Sequence, residues 1–271
     1  MPPKQVVRRS PALSVLYGAP IGLLGGLIGL GGAEFRLPVL AGVFRYPARR
    51  AVALNLAISL VTVVSALLIR GGTLSLGPVL DLLPVALTMI AGSVSAAFVG
   101  VALVHWISER VLERFILVLL VGIGATLIVE AFLPQGGAGF LPEGTSPVPR
   151  LALALVFGLF IGLVSSLLGV AGGELIIPTL VFVFGAGIKA AGTTSLLISL
   201  PTVTVGVLRH RRLGAFQERH DLIQTVAPMG AGSVVGTVVG GLLVGLVPAA
   251  ALKFVLGVIL IVSAIRIFRA H

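Results

Sequence analysis

In the stretch GLGGAEFRLP (29–38), Glu34 and Arg36 place a carboxylate and a guanidinium inside a run that is otherwise apolar. A carboxyl can carry a proton, and a guanidinium can hold an oxyanion with its planar fork of donors. The same stretch contains Gly29, Gly31, Gly32 and Pro38. Glycine allows a sharp turn and close backbone approach, and proline suits the first turn of a helix. These residues predict a broken helix, with Glu34 to Leu37 at the start of its second half. Free N–H groups at such a start carry partial positive charge and attract an anion.

The motif occurs twice. GLLGGLIGLGGAEFRLPVL (22–40) aligns without a gap to GLVSSLLGVAGGELIIPTL (162–180), an offset of 140 residues. Gly22/Gly162, Gly29/Gly169, Gly32/Gly172, Glu34/Glu174 and Pro38/Pro178 coincide. Roughly 29 of 83 positions agree between residues 18–100 and 158–240, the mark of an internal repeat. The predicted substrate-binding set is Gly31, Gly32, Ala33, Arg36 and Asn55 in the first half, with Gly172, Gly173, Thr194 and Ser195 in the second. Gly29, Pro38, Gly169 and Pro178 are the predicted helix breaks.

Several of these residues have two roles open to them. An ionised carboxylate is costly in a low-dielectric cavity, so Glu34 and Glu174 are expected to carry a coupling proton; each could also cap its half-helix. Arg36, whose mate is Ile176, could hold a substrate oxyanion, pair with Glu34, or snorkel to the nearby surface. Asn55, Ser59/Ser199, Thr62/Thr202 and Thr193/Thr194 either line a pathway or bond to helix backbone. Asp81 and Asp221 are expected as helix caps, and AGSV at 91–94 and 231–234 as small packing surface.

The elements that must position these groups are apolar helices. Of the 271 residues 57% are hydrophobic and 10% charged, and the mean hydropathy is +1.17. A soluble domain carries about 25% charged residues. Apolar runs of about 18 residues or more recur, without the alternation of barrel strands. The expected fold is an all-α polytopic membrane protein with two inverted-topology repeats, residues 1–133 and 150–271. Each has a broken, re-entrant hairpin of two partial helices (12–44; 150–185) and three spans, near 51–69, 79–105 and 111–133, then 190–208, 222–246 and 250–268. A Gly- and Pro-rich linker outside the membrane, 134–149, joins them.

Charge supports the inversion. If each broken segment returns to its starting side, Lys and Arg outside the core divide 14 to 4, which places both termini in the cytoplasm by the positive-inside rule. A single crossing would give about 11 to 7. Lys4, Arg8 and Arg9 before an apolar run resemble a signal peptide, but the run continues into the motif without a cleavage site. The net charge of +10 thus reflects orientation, not nucleic acid. The absence of cysteine, and of any HExxH or GxxxxGK[ST] pattern, predicts neither metal, cofactor nor nucleotide hydrolysis. No GxSxG or other catalytic constellation indicates an enzyme.

The duplicated motif, over residues 12–269, resembles the signature of the sulfite exporter TauE/SafE family. The resemblance reaches Gly32, Glu34 and Pro38, with Gly172, Glu174 and Pro178; Ala33 and Arg36 depart from it. It implies a bacterial inner-membrane carrier of sulfite, sulfonates or other small organic anions. The expected partners are a small anion, protons and membrane lipid; a homodimer is admitted but not required. Two alternatives stand beside this expectation: a cation carrier or channel using Glu34 and Glu174, and an accessory subunit that transports nothing.

Overall fold

The structure is a computed structural model. It describes residues 10–103, 118, 121–122, 124–125, 127–129, 131–132, 139–141, 145–168, 171–212 and 214–269. Described residues are helical, without strands among them. The first half contains α1 (Pro11–Ile28), α2 (Ala33–Pro38) running into a π-helical turn (Val39–Val43), α3 (Ala48–Thr73), α4 (Gly77–Asp81) and α5 (Leu83–Leu103). The second contains α6 (Pro147–Leu168), α7 (Gly173–Pro178) with its π turn (Thr179–Val183), α8 (Ile188–Arg212), and α9 (Arg219–Asp221) with a π turn (Leu222–Val226). The last two helices are α10 (Ala227–Leu243) and α11 (Ala249–Arg269). Five stretches are long and apolar enough to cross a membrane: Pro11–Ile28, Arg50–Thr73, Pro147–Ser165, Ile188–Arg212 and Arg219–Leu243. The chain is therefore a polytopic α-helical membrane protein. The expected span at 111–133 lies largely outside the described residues.

Helix α1 is longer than the partial helix expected. Its 18 residues reach about 27 Å at 1.5 Å per residue. It persists because Gly18, Gly22 and Gly26 let its backbone lie against Met229, Ser233 and Thr237 of α10. The Ser233 and Thr237 hydroxyls donate to the Gly18 and Gly22 carbonyls, each at 3.1 Å. Gly29 then stops the helix with φ 93° and its N–H on the Gly25 carbonyl. Such a left-handed residue ends helices because glycine lacks the clashing Cβ.

The chain next turns back. The rings of Tyr17 and Phe44 meet edge to face with centroids 6.4 Å apart. Phe44 and Tyr46 share a buried cluster with Leu13 and Met229. The segment 11–46 thus ends at the level where it began, and α3 rises from there beside α1. The second half repeats the arrangement: Gly158 and Gly162 of α6 lie against Met89 and Ser93 of α5. The same 140-residue shift exchanges the two helix pairs, and each pair joins one half to the other. The AGSV residues are the packing surfaces in both.

Helices α3 and α8 form the centre. Arg70, near the end of α3, donates to Thr193 near the start of α8 at 3.0 Å. Gly206, toward the other end of α8, lies against Leu56 of α3. The two mates therefore run antiparallel. Large apolar side chains such as Leu16, Leu68 and Val235 point outward, 67%, 72% and 62% exposed.

Candidate functional site

The two helix breaks meet. A Cβ placed on Gly173 would lie 2.9 Å from the Leu30 carbonyl oxygen and 3.1 Å from its Cα. One placed on Gly31 would sit 3.9 Å from the Ala171 Cβ. The packing explains one difference between the halves. Gly173 has no room for a side chain, whereas its mate Ala33 fits with no exposure. Gly31 and Gly32 have φ of 84° and 74°, and Gly172 has 78°. These left-handed residues turn the chain so that α2 and α7 start inside the bundle. Gly169 lies outside the described residues.

The prolines stand elsewhere than expected. Helices α2 and α7 start at Ala33 and Gly173, so Pro38 and Pro178 are their last residues and not their first. A proline has no N–H to give the carbonyl four residues back. The α register ends there and a π turn follows, with the Phe44 N–H on the Val39 carbonyl at 3.0 Å. The glycines set the helix starts; the prolines set where the regular register stops.

Each break is tied to the long helix of its own half. The Asn55 amide donates to the Ala33 carbonyl at 2.9 Å, and Ser195, its mate, lies beside Gly173. The Ser199 hydroxyl donates directly to the Ala171 carbonyl at 2.9 Å. In the first half Arg36 stands between the equivalent groups. It donates to Ser59 at 2.9 Å, to the Gly31 carbonyl at 3.2 Å and to Thr62 at 3.1 Å. Arg36 is fully buried, and its side chain turns into the bundle rather than out to a surface.

Glu34 and Glu174 close the site. The Glu34 carboxyl lies within electrostatic reach of both Glu174 and Arg36. Glu174 is 7% exposed. Among the buried polar atoms without a hydrogen-bond partner are Glu34 Oε2 and Arg36 Nε and the hydroxyls of Ser165, Thr194 and Ser195. Buried polar groups are nearly always paired, so such a set marks groups available to a solute or to water. The structure thus brings together Gly31, Gly32, Ala33, Glu34, Arg36 and Asn55 with Gly172, Gly173, Glu174 and Ser195. Thr194 is buried on the same helix, next to Ser195.

Two residues behave differently from their sequence expectation. Asp221 stands at the N-cap position of the π turn Leu222–Val226 without a side-chain capping bond there, and is instead buried and ion-paired to Arg50 at 2.5 Å; Asp81, its mate, is exposed at the end of α4. Arg70, expected outside the membrane, is fully buried. It donates to the Gly26 and Leu27 carbonyls, both at 2.9 Å, and to Lys189 O at 2.8 Å. It therefore holds the last turn of α1, whose carbonyls lack helical donors. Its one sequence signal is an arginine shortly before the end of a long apolar run, with no repeat partner of the same type.

Comparison with known proteins agrees with this architecture. Residues 2–127 and 154–271 match the family described as Sulfite exporter TauE/SafE. The stretch between the two matched parts, 128–153, contains the Gly- and Pro-rich residues 134–149. The probable membrane transporter protein MJ0441 of Methanocaldococcus jannaschii is 29% identical over 126 residues. That match takes in 45% of this chain and 46% of the relative. The chain thus spans about half the length of the curated relative it matches. No solved structure matches. Family match and helical architecture together identify the chain as a member of the sulfite exporter TauE/SafE family, a multi-pass membrane protein of the transporter class.

Proposed function

We propose that the protein is a secondary exporter of a small anion, such as sulfite, a sulfonate or a carboxylate, coupled to protons. The solute sits between the two helix breaks, near the membrane midplane. The observation that carries this reading is the contact of the breaks at Leu30 and Gly173, beside buried polar atoms that lack partners. Two short helices start there, and helix starts favour negative charge. Arg36 adds a full positive charge, and Glu34 and Glu174 supply the proton sites. The antiparallel run of α3 and α8 supports inverted repeats, a recurrent plan of secondary transporters. Both termini are cytoplasmic in this arrangement, in a bacterial inner membrane.

The test is flux of a radiolabelled sulfite or sulfonate in proteoliposomes, with and without a pH gradient. The parent protein should transport faster with the gradient. Glu34→Gln and Glu174→Gln should each keep the fold and lose the gradient-driven part, by tenfold or more. Unchanged proton coupling in both variants would refute the role of the carboxyls. Flux of a cation instead would favour direct ion binding by Glu34 and Glu174, oxygen ligands suited to hard cations.

A further inference from the structure

The two halves meet at two junctions that the 140-residue shift should make equivalent, but their chemistry differs. At the first, the start of α3 meets the irregular segment 218–226, where the three-residue α9 gives way to a π turn. Arg50 pairs with Asp221 and with Glu218, each at 2.5 Å. The Tyr46 and Thr225 hydroxyls share a hydrogen bond of 2.9 Å, and Ser14 donates to the Gln224 carbonyl at 3.0 Å. Every one of these contacts joins the first half to the second.

At the second junction the mates are Ala190 with Asp81, Ala186 with Val85, and Ala154 with Pro84. Alanine has no side-chain donor, so none of these bonds can form. Val85, Ala154 and Ala186 instead belong to the large apolar cluster with Leu180, Phe184 and Ile188. A segment of the linker also covers that junction, with Phe140 and Leu141 N–H groups on the carbonyls of Phe182 and Val183 at 2.7 and 3.2 Å.

The two kinds of contact respond differently to opening. Polar contacts exchange for contacts with water at small net cost. Apolar contacts lose their burial with nothing in return. The first junction also lies on the strongly basic side of the molecule, with Arg45, Arg211, Arg212 and Arg219 exposed there. Such a field raises the local concentration of anions. We propose that the Arg50–Asp221 pair is a latch that closes the site toward the basic face, and that the equivalent junction on the other face is the firmer seal. Arg50 is then a positioning residue for transport: it touches no solute in the site but sets how often the site opens to that face. The inference rests on the transport reading and extends it to the order of opening.

The chain contains no cysteine, so one introduced thiol reports on one place. Ser195→Cys puts it beside the second break. Full-length protein would be labelled with a membrane-impermeant maleimide in right-side-out and inside-out membrane vesicles. Adding Arg50→Ala should speed labelling from the basic face at least tenfold and leave the other face unchanged. Arg50→Lys, which keeps the charge, should recover most of the slow rate, and Glu218→Gln should raise it only two- to threefold, because Glu218 is 61% exposed. Equal rates in the parent and Arg50→Ala would overturn the latch, and so would equal acceleration from both faces, which signals general loosening. Labelling does not depend on solute. If it changes as expected while the parent carries no anion, the transport reading fails and the latch stands.

Discussion

The two helix breaks share a left-handed glycine turn and differ most in charge. Both turn on a left-handed glycine, Gly32 and Gly172, and both start a helix with an acidic residue in its first turn. Two residues further on, the first break has Arg36 and the second has Ile176, each 1% exposed or less. In the second break Ser199 bonds straight to the Ala171 carbonyl. In the first, the guanidinium of Arg36 is inserted between Ser59 and the Gly31 carbonyl, and it takes up Thr62 as well. Both copies keep the turning glycine, the acidic residue and the proline, and the first alone has a cation two residues after the acid. The centre is therefore electrically lopsided, with its cation on one break only.

The strongest way to break this comparison is to make the first break resemble the second. Arg36→Ile removes the cation bonded to the first break and strands the Gly31 carbonyl and the Ser59 hydroxyl. A hydrogen bond to a charged group is worth about 1.5–3 kcal/mol, so the loss should be about 4 kcal/mol of stability. Anion flux in proteoliposomes should fall at least a hundredfold. Arg36→Lys should recover little, because an ammonium cannot reproduce the planar fork. If Arg36→Ile transports normally and melts with the parent, the difference between the breaks has no functional meaning.

A smaller effect tests what the breaks share. Gly32→Ala and Gly172→Ala both force a side chain into the left-handed region, at about 1–2 kcal/mol. Both also meet packed neighbours: the new Cβ would lie 2.7 Å from Ile21 Cγ2 and 3.0 Å from the Ile21 carbonyl oxygen in the first, and 2.4 Å from Ser165 Oγ and 3.0 Å from Ile161 Cγ2 in the second. The total should be about 2–3 kcal/mol for each, and within error the same. Thermal unfolding in detergent measures it. A large inequality would mean that one turn alone holds the site together.

How much of this was legible follows from the range of each interaction. The repeat, the glycine turns and the contact of the two breaks depend on residue types held in register, which a sequence displays directly. The start of α2 at Ala33 was less legible, because glycine and proline both signal a helix start. Here the left-handed Gly32 sets it, and Pro38 only ends the α register. The Arg50–Asp221 pair and the four bonds of Arg70 were not legible. Their partners lie between 43 and 171 residues away in the chain, mostly on carbonyls that carry no sequence signal. The repeat was no help, since the mates of Arg50 and Arg70 are Ala190 and His210.

The finest test compares the two serines. Ser199 is the side-chain donor seen on the Ala171 carbonyl, so Ser199→Ala leaves that buried oxygen without it and should cost about 1–2 kcal/mol. Ser59 only accepts one of three bonds from Arg36. In Ser59→Ala the guanidinium keeps Gly31 and Thr62, and the cost should stay near 0.5–1 kcal/mol. A double-mutant cycle separates the two arrangements. Ser59→Ala should couple to Arg36→Ile, because the bond it removes is already gone in that background. Ser199→Ala should add independently to the same change, because its bond lies wholly within the second half. If Ser59 proved the costlier serine and showed no coupling to Arg36, the guanidinium would not be the bridge that replaces a direct serine bond.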